Sequence, residues 1–367
     1  MSAPHITVIG AGIVGLATAF ELTERGAEVT VFDPSPVSGA SYYAGGMLAP
    51  AAEVQFQQEP LFPLMLESAR RYPSLVERLS QATDRPLGYR TEGTLVVAAD
   101  RADAAHLTQL TDYQHTHGMR VDRIPVREAR RLEPALAPDL AGAVSLPGDH
   151  QVAPRVFTAA LLDALARRGV QVVQEEVTEI GARTVTTTAG EHAAPGQVVL
   201  ANGLGAARFV PLALRPVRGD ILRVRLPEGP RSGADDPLLT RVVRGFVQDR
   251  PIYLIPRQDG TMAVGATTRE DQRDLAAIDG VFDLLRDAVR VVPGIKDCEL
   301  LEAGVGKRPG TPDDLPYLGR VSDRLIVSTG YFRHGILLAA WGASVGARLA
   351  LGEEVSLPEC DPNRGLQ

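Results

Sequence analysis

ITVIGAGIVGLATAFELTERGAEVTVFD, residues Ile6 to Asp33, contains every part of a β-α-β unit. The β-branched run Ile6–Ile9 is typical of a strand buried in a parallel sheet. Apolar residues recur at helical spacing from Ile13, and Gly26 is expected to end that helix as its C-terminal cap. A second strand, Val29–Phe32, completes the unit. The segment predicts an α/β fold built on a parallel sheet.

The turn between the first strand and the helix has G-x-G-x-x-G spacing at Gly10, Gly12 and Gly15. In such a unit the first glycine allows a tight turn, the second lets backbone N–H groups approach a pyrophosphate, and the third lets helix and strand pack closely. Asp33 lies 21 residues after Gly12, where an acid can accept hydrogen bonds from ribose hydroxyls. The glycine spacing alone is a weak signal. Together with the strand, the helix and the acid it predicts a dinucleotide-binding site.

Length and composition limit the class of protein. The chain has 367 residues, of which 44% are hydrophobic and 23% are charged, and its formal net charge is -7 at pH 7. This length suffices for two domains with a buried core, and the composition excludes a disordered or collagen-like chain. The negative charge argues against nucleic acid as a partner, because phosphate binding requires clustered positive charge.

No motif indicates a disulfide framework, a metal site or a membrane. Cys298 and Cys360 lie far apart and outside any C-x-x-C motif, so they predict neither a disulfide nor a zinc site. The apolar N-terminal run lacks the basic region and cleavage site of a signal peptide. Glycines and Arg348 interrupt the apolar span Gly335–Gly352, which favours a buried helix over a membrane crossing. We therefore expect a soluble, cytoplasmic protein with no metal and no membrane partner.

Further elements of the α/β type follow at intervals along the chain. The pattern predicts a helix over Pro154–Arg168 and buried strands over Val170–Val173, Val198–Leu200 and Leu325–Ser328. These elements extend the sheet that the first unit begins.

Two other segments, Tyr89–Ala99 and Arg241–Ala266, alternate apolar and polar residues and predict an antiparallel sheet. A loop at Pro227–Pro237 separates the two kinds of pattern. We therefore expect a dinucleotide-binding domain that a second domain interrupts twice. The predicted division assigns residues 1–84, 150–214 and 299–356 to the first domain, 85–149 and 215–298 to the second, and 357–367 to a C-terminal tail.

Several segments outside the glycine-rich turn resemble the D-amino-acid oxidase family of FAD enzymes. They are Ser38–Pro50 (SGASYYAGGMLAP), Ala201–Gly203 (ANG), Pro216–Gly219 (PVRG), Gly306–Asp313 (GKRPGTPD), Pro316–Gly319 (PYLG) and Gly330–Leu338 (GYFRHGILL). Within that family, A-G-G-M-L-A-P is most similar to the glycine oxidases of thiamine biosynthesis. The resemblance covers nearly the whole chain in the right order.

The resemblance implies a Rossmann-like FAD-binding domain and a mainly antiparallel substrate domain that covers the flavin ring. It implies oxidation of the Cα–N bond of glycine or another small amino acid, with hydride transfer from Cα to flavin N5. Electrons would pass to O₂ to give H₂O₂, and the imine would hydrolyse to a keto acid (glyoxylate from glycine) and ammonia. A role in thiamine thiazole synthesis is a further implication, and a homo-oligomer is expected.

The resemblance also implies which residues bind the substrate. Arg308 matches the family's carboxylate-binding arginine, and a guanidinium offers a carboxylate two parallel N–H donors. Tyr253 matches a strand tyrosine that helps to hold the same carboxylate, although a strand tyrosine can equally be a core residue. Arg333 is the third candidate, since a cation before a helix N-terminus is poorly placed unless it serves a ligand.

The fingerprint and the resemblance together predict the residues that contact FAD. They are Gly10, Gly12, Ile13, Val14, Gly15, Asp33, Ser41, Ala44, Gly45, Gly46, Met47, Val177, Ala201, Gly203, His334, Gly335, Ile336 and Leu337. The family pattern near the last group is usually G-H-F/Y-R-N-G, so Tyr331 and His334 depart from it and leave their side-chain contacts open. Sarcosine-oxidase relatives bind FAD covalently through a cysteine at the position of Gly306, so noncovalent FAD is expected here.

The residues leave other functions open. A D-amino-acid or sarcosine oxidase, or a dehydrogenase of the same fold that passes electrons to a quinone, would share these motifs. A flavin-binding subunit without turnover is a candidate of another class, because fold does not fix function. The preferred amino acid, the electron acceptor, the pathway and the oligomeric state are not determined by the sequence.

Overall fold

The predicted β-α-β unit is present at the centre of a six-stranded sheet. The structure is a computed structural model and describes residues 3–227 and 237–364. Strand His5–Ile9 pairs in parallel with strand Glu28–Phe32, and helix Ile13–Glu24 connects them. Gly26, with φ at 80°, lies just beyond the last helical residues as predicted.

The other α/β elements that the sequence predicts extend this sheet. Its strands in spatial order are Tyr317–Arg320, Leu325–Thr329, Gln197–Leu200, His5–Ile9, Glu28–Phe32 and Gln171–Val173. All neighbouring pairs are parallel except Tyr317–Arg320 with Leu325–Thr329. The predicted helix at residue 154 is also present, over Pro154–Arg167.

An eight-stranded sheet forms the second layer, and it is mainly antiparallel as expected. Its strands in spatial order are Glu299–Gly310, Arg215–Arg225, Thr261–Gly265, Arg250–Pro256, Val242–Val247, Thr94–Ala98, Gly142–Leu146 and Asp122–Ile124. One neighbouring pair, Thr94–Ala98 with Val242–Val247, is parallel. The predicted loop at Pro227–Pro237 lies mostly outside the described residues.

The pairing of one strand bears on the domain division. Glu299–Gly310 pairs along its whole length with Arg215–Arg225 in the eight-stranded sheet. We therefore propose that the last boundary between the two domains follows Gly310 rather than residue 298.

The remaining strands form two small sheets of three strands each. One contains Met47–Leu48, His150–Val152 and Tyr89–Arg90, and the other contains Val177–Ile180, Thr184–Thr187 and Glu191–Ala193.

Helices cover the outer faces of both sheets. The α-helices are Ile13–Glu24, Ala40–Tyr43, Phe62–Ala82, Arg101–Thr116, Val126–Leu132, Pro154–Arg167, Ile278–Val291 and Ala339–Ala350, with short 3₁₀ helices at Glu59–Leu61, Gly203–Arg208, Pro293–Asp297, Phe332–His334 and Pro358–Cys360. No helix in the described ranges has the length and apolar character to span a membrane. Those ranges also contain no group of three or more His, Cys, Asp or Glu side chains that could hold a metal ion.

The apolar span Gly335–Gly352 is helical only from Ala339. A 3₁₀ turn at Phe332–His334 and a further turn precede the helix, so it begins later than the pattern predicts. The helix itself is buried almost all round, because it packs against helix Ile13–Glu24 and helix Phe62–Ala82. This packing explains an apolar composition that extends to every face.

The two faces of the eight-stranded sheet have different neighbours. Side chains alternate along each strand. Leu222 and Leu254 pack beneath helix Ile278–Val291, whereas Ile221 and Ile255 point to the opposite face, towards Met47. That opposite face and the six-stranded sheet enclose the cavity described next.

Candidate active site

A cavity of ≈ 620 Å³ lies where residues from the two sheets meet. It is lined by every residue predicted to contact the cofactor except Gly15, and by all three predicted substrate residues, Arg308, Tyr253 and Arg333. Residues that are distant in sequence therefore converge on one space. Its volume falls within the range of about 300–1,000 Å³ that is usual for ligand pockets.

The glycine-rich turn forms one wall of the cavity from backbone atoms, at positions where a side chain would clash with neighbouring backbone. A Cβ on Gly10, whose φ is 111°, would lie 2.5 Å from the Ala201 carbonyl oxygen. A Cβ on Gly15 would lie 1.9 Å from the Gly10 carbonyl oxygen, so Gly15 serves helix packing and not the lining itself. Helix Ile13–Glu24 begins at this wall, and its N-terminal amides favour an anion. The Ser41 hydroxyl accepts a hydrogen bond from the Ile13 N–H at 3.0 Å.

Asp33 ends the second strand and lines the same cavity. Its Oδ2 accepts a hydrogen bond from the Ala11 N–H at 2.7 Å, and its Oδ1 accepts one from the Ser35 N–H at 2.8 Å. Because each carboxylate oxygen has two acceptor positions, both oxygens can accept a further bond. The geometry suits ribose hydroxyls at this end of the cavity.

The turn before helix Ala339–Ala350 forms another wall. The Leu338 N–H donates to the His334 carbonyl at 2.7 Å, whereas in the described chain the N–H groups of Ile336 and Leu337 have no backbone acceptor. The Tyr72 hydroxyl holds the Ile336 carbonyl, and the Ser68 hydroxyl holds the Leu337 carbonyl. These contacts fix a pair of free amide donors beside the cavity, where they can stabilise negative charge.

The structure shows what the two unusual residues of this turn do. The Tyr331 hydroxyl bonds the Ser328 hydroxyl at 2.8 Å and lies over Gly342, so Tyr331 packs into the helix interface. His334 is buried, and burial together with the charges of Arg333 and Arg244 lowers its pKa to about 3. The imidazole is therefore neutral at physiological pH.

Arg308 lies across the backbone of Gly219. A Cβ on Gly219 would lie 2.3 Å from Arg308 Nη2 and 2.4 Å from Nη1. Arg308 Nη1 also donates to the Thr267 carbonyl at 3.2 Å. Burial lowers the pKa of Arg308, and the nearby Tyr253 opposes that shift. The guanidinium is held in place while part of its donor set faces the cavity.

Tyr253 stands beside Arg308 on the inner face of the sheet. It pairs across strands with Arg244 on one side and Gly265 on the other, and a Cβ on Gly265 would lie 2.5 Å from the Tyr253 hydroxyl. Burial raises the pKa of Tyr253 against the opposing charges of Arg308 and Arg244. The hydroxyl therefore stays protonated at neutral pH and can donate a hydrogen bond to a carboxylate.

Arg333 approaches from the opposite wall, on the turn Phe332–His334. Its Nη2 donates to the Thr268 hydroxyl at 3.2 Å, while its Nε is buried without a hydrogen-bond partner in the described part of the chain. Burial lowers its pKa, and Asp314 and Tyr253 act in the other direction. This donor therefore remains available to a ligand in the cavity.

Comparison with known proteins agrees with this geometry. A family model described as "DAO: FAD dependent oxidoreductase" matches residues 5–349. The chain belongs to this FAD-dependent oxidoreductase family. FAD is the cofactor of this family. The cavity has features that suit FAD: a wall of glycines at a helix N-terminus, a carboxylate with free acceptor positions and a pair of unbonded backbone amides.

Proteins similar to the chain include a bifunctional ThiO/ThiG protein and two oxidases whose names state a substrate. A bifunctional ThiO/ThiG protein of Synechocystis sp. is 36% identical over 96% of this chain and 52% of its own length, so the chain spans about half of it. The glycine oxidase of Geobacillus kaustophilus is 34% identical over 91% of this chain and 89% of that protein. A crystal structure of glycine oxidase from that organism superimposes with a TM-score of 0.88 and covers 100% of both chains at 32% identity. An iminodiacetate oxidase structure from Chelativorans sp. has a TM-score of 0.83 and 27% identity, over 97% of this chain and 98% of that one.

The lining residues that the sequence analysis missed include a buried pair of opposite charges. Arg244 and Glu53 form an ion pair in the lining, and each side chain is only 13% exposed. Arg244 lies in the apolar strand V-V-R-G-F-V, where a charged residue on the inner face was the available signal. Glu53 follows the A-G-G-M-L-A-P motif by three residues, and no pattern in the sequence links it to Arg244.

Proposed function

We propose that the protein oxidises the Cα–N bond of glycine or another small amino acid. For glycine the balanced reaction is glycine, O₂ and H₂O giving glyoxylate, ammonia and H₂O₂. The observation that carries the proposal is the convergence of Arg308, Tyr253 and Arg333 on the cavity that fits FAD. The names of the relatives, glycine oxidase and ThiO, support the same reaction.

FAD, when bound, accepts two electrons from the substrate and passes them to O₂. Arg308 and Tyr253 bind the substrate carboxylate, since one offers a charged pair of donors and the other a neutral hydroxyl donor. Arg333 closes the opposite side of the carboxylate. The free N–H groups of Ile336 and Leu337 stabilise the negative charge that develops on the cofactor.

The proposed chemistry needs no side-chain base at Cα. A substrate amine that enters deprotonated can be oxidised once it is held in the correct orientation, so binding and orientation supply most of the rate. His334 is neutral and adds no charge near the amine. Noncovalent FAD is proposed because neither Cys298 nor Cys360 lines the cavity, and burial raises the pKa of these thiols to about 11 and about 12.

The wider context of the reaction is also a proposal. The ThiO/ThiG relative and a putative thiamine biosynthesis oxidoreductase of Rhizobium etli, 32% identical over 95% of this chain, support a role in thiamine thiazole synthesis. The iminodiacetate oxidase supports N-substituted glycines as further substrates. A homo-oligomer is proposed because Leu300 and Leu301, on the edge strand Glu299–Gly310, are about half exposed.

A steady-state assay tests the proposed function. The purified protein should be yellow and should release H₂O₂ with at least one of glycine, sarcosine, D-alanine and D-proline. Arg308→Ala should raise KM for that substrate by about 10- to 100-fold while the bound flavin is retained, because a charge-assisted bond is lost. Flavin without peroxide from any of these amino acids would favour a dehydrogenase or a binding subunit, and unchanged kinetics in Arg308→Ala would remove Arg308 from the site.

A further inference from the structure

Residues 266–268, which follow a strand of the eight-stranded sheet, form a β-bulge at the edge of the cavity. Before the bulge, Gly265 pairs with Ile221. After it, Arg269 and Arg218 exchange two backbone hydrogen bonds, at 2.8 and 2.9 Å. Three residues of one segment therefore lie opposite two residues of the other. Bulges of this kind are frequent next to active sites, where they change the direction of nearby groups.

The bulge contacts two of the arginines that line the cavity. The Thr267 carbonyl accepts a hydrogen bond from Arg308 Nη1, and the Thr268 hydroxyl accepts one from Arg333 Nη2, both at 3.2 Å. Arg308 Nη1 also lies 3.5 Å from the carbonyl of Arg218, which pairs with the residue that ends the bulge. Because both acceptors of Arg308 are backbone carbonyls, the direction of its guanidinium depends on the conformation of the bulge.

Asp220 holds the bulge from the face of the sheet opposite the cavity. Its side chain is fully buried beneath helix Ile278–Val291, where a Cβ on Gly280 would lie 2.5 Å from Asp220 Oδ2. The Thr267 hydroxyl donates to Oδ2 at 2.6 Å and accepts from the Asp220 N–H at 2.8 Å. Asp220 therefore fixes the residue whose carbonyl holds Arg308.

Both oxygens of the Asp220 carboxylate are fully engaged. Arg269 donates from Nε to Oδ2 at 3.0 Å and from Nη2 to Oδ1 at 2.8 Å, and the Ala277 N–H donates to Oδ1 at 3.4 Å. Burial opposes ionisation, but the bonds from Arg269 and Thr267 hold the pKa of Asp220 below its usual value. The carboxylate is therefore charged at neutral pH and accepts four hydrogen bonds, two at each oxygen.

We propose that Asp220 is a positioning residue for substrate binding, because through Thr267 it fixes the bulge that directs the Arg308 guanidinium towards the substrate carboxylate. This inference rests on the proposed oxidase function, in which Arg308 binds that carboxylate. Asp220 does not line the cavity, so it acts on the substrate through these contacts. Loss of its carboxylate should weaken the binding of carboxylates more than the binding of uncharged ligands of the same size.

A matched pair of ligands tests the proposal in the flavin-loaded protein. Glycolate carries a carboxylate, and glycolamide replaces it with an uncharged amide. Titration of each ligand against the flavin absorbance gives two dissociation constants, and the wild type should bind glycolate more tightly. Asp220→Asn should reduce that preference by about tenfold. In either orientation of the new amide its N–H₂ group faces a donor of Arg269, so the bulge loses its anchor.

A second variant disturbs the anchor without removing its charge. Gly280→Ala places a Cβ against Asp220 Oδ2, so the preference for glycolate should fall by about threefold or more even if Asp220→Asn does not fold. Asp287→Asn is the matched control. Asp287 is also buried and also accepts two hydrogen bonds from one arginine, Arg250, but neither residue lines the cavity. This control should lose stability and keep the ligand preference.

Combination with Arg308→Ala separates positioning from a general structural role. Arg308→Ala should itself lower the preference for glycolate, and the addition of Asp220→Asn should then change it by less than about twofold, because the two residues act in series. Equal loss of both affinities in Asp220→Asn, a further tenfold loss in the double variant, or an unchanged preference in Arg308→Ala would overturn the positioning role. Failure of the wild type to oxidise any amino acid would instead overturn the proposed function, and the ligand pair would still decide whether Asp220 acts through Arg308.

Discussion

Gly219→Ala should move the guanidinium of Arg308, which we propose binds the substrate carboxylate, without removing its charge. The new Cβ would lie 2.3 Å from Arg308 Nη2, and ordinary contact begins at 3.4 Å, so the guanidinium must retreat by about 1 Å. A charge-assisted bond contributes about 1.5–3 kcal/mol, so its loss should raise KM for the amino acid by roughly 10- to 150-fold. The assay is initial-rate peroxide release over a range of substrate concentrations.

The rest of the molecule should be little affected by this change. The displaced atoms are the end of a flexible side chain, so the free energy of unfolding should change by less than about 1 kcal/mol. Gly346→Ala is the control, because its Cβ would meet Thr18 only at 3.6 Å in a helix away from the cavity. A Gly219→Ala enzyme with unaltered KM and normal flavin content would refute the placement of Arg308 at the substrate carboxylate.

Three further changes have defined outcomes. Asp33→Ala should raise the dissociation constant for FAD about tenfold, measured by flavin fluorescence, and unchanged affinity would exclude Asp33 as a ribose ligand. Arg257→Met should lower the free energy of unfolding by about 2–4 kcal/mol in denaturant titration, because buried Arg257 donates to the Gly45 and Val152 carbonyls, and a smaller loss would show that these bonds are dispensable. The free energy of unfolding of His334→Asn should depend less on pH in acid than that of the wild type. The pKa of His334 is about 3 in the folded state and 6.5 in the unfolded state, so this group should lower wild-type stability by about 1.4 kcal/mol for each pH unit below 6.5. Equal dependence of unfolding free energy on pH in the two proteins would contradict the buried neutral imidazole.

The cofactor half of the site could be predicted from sequence because its determinants are local. Gly10, Gly12 and Gly15 lie within one turn, and the strand, helix and acid around them follow in order. Backbone conformation and close packing impose these residue types, and the structure shows the same constraints as Cβ contacts of 2.5 Å and 1.9 Å at Gly10 and Gly15. Local rules therefore suffice for this part of the fold.

The substrate half depends on contacts between distant segments. Arg308 and Gly219 are 89 residues apart and meet only because their strands pair in the eight-stranded sheet. The resemblance indicated Arg308, but nothing local to Arg244 indicated that it would pair with Glu53 in the same cavity. Likewise, the first four residues of the Gly335–Gly352 span are not helical, because they form the wall that presents free amides.

Anaerobic mixing of the flavin-loaded protein with substrate tests the central claim most directly, since it observes electron transfer from the amino acid to the cofactor in a single turnover. We predict that glycine, or another amino acid of the set proposed above, bleaches the visible absorbance of the flavin. Admission of O₂ should restore the colour and yield one H₂O₂ for each flavin reduced. A fully loaded flavin that no amino acid bleaches would contradict the account.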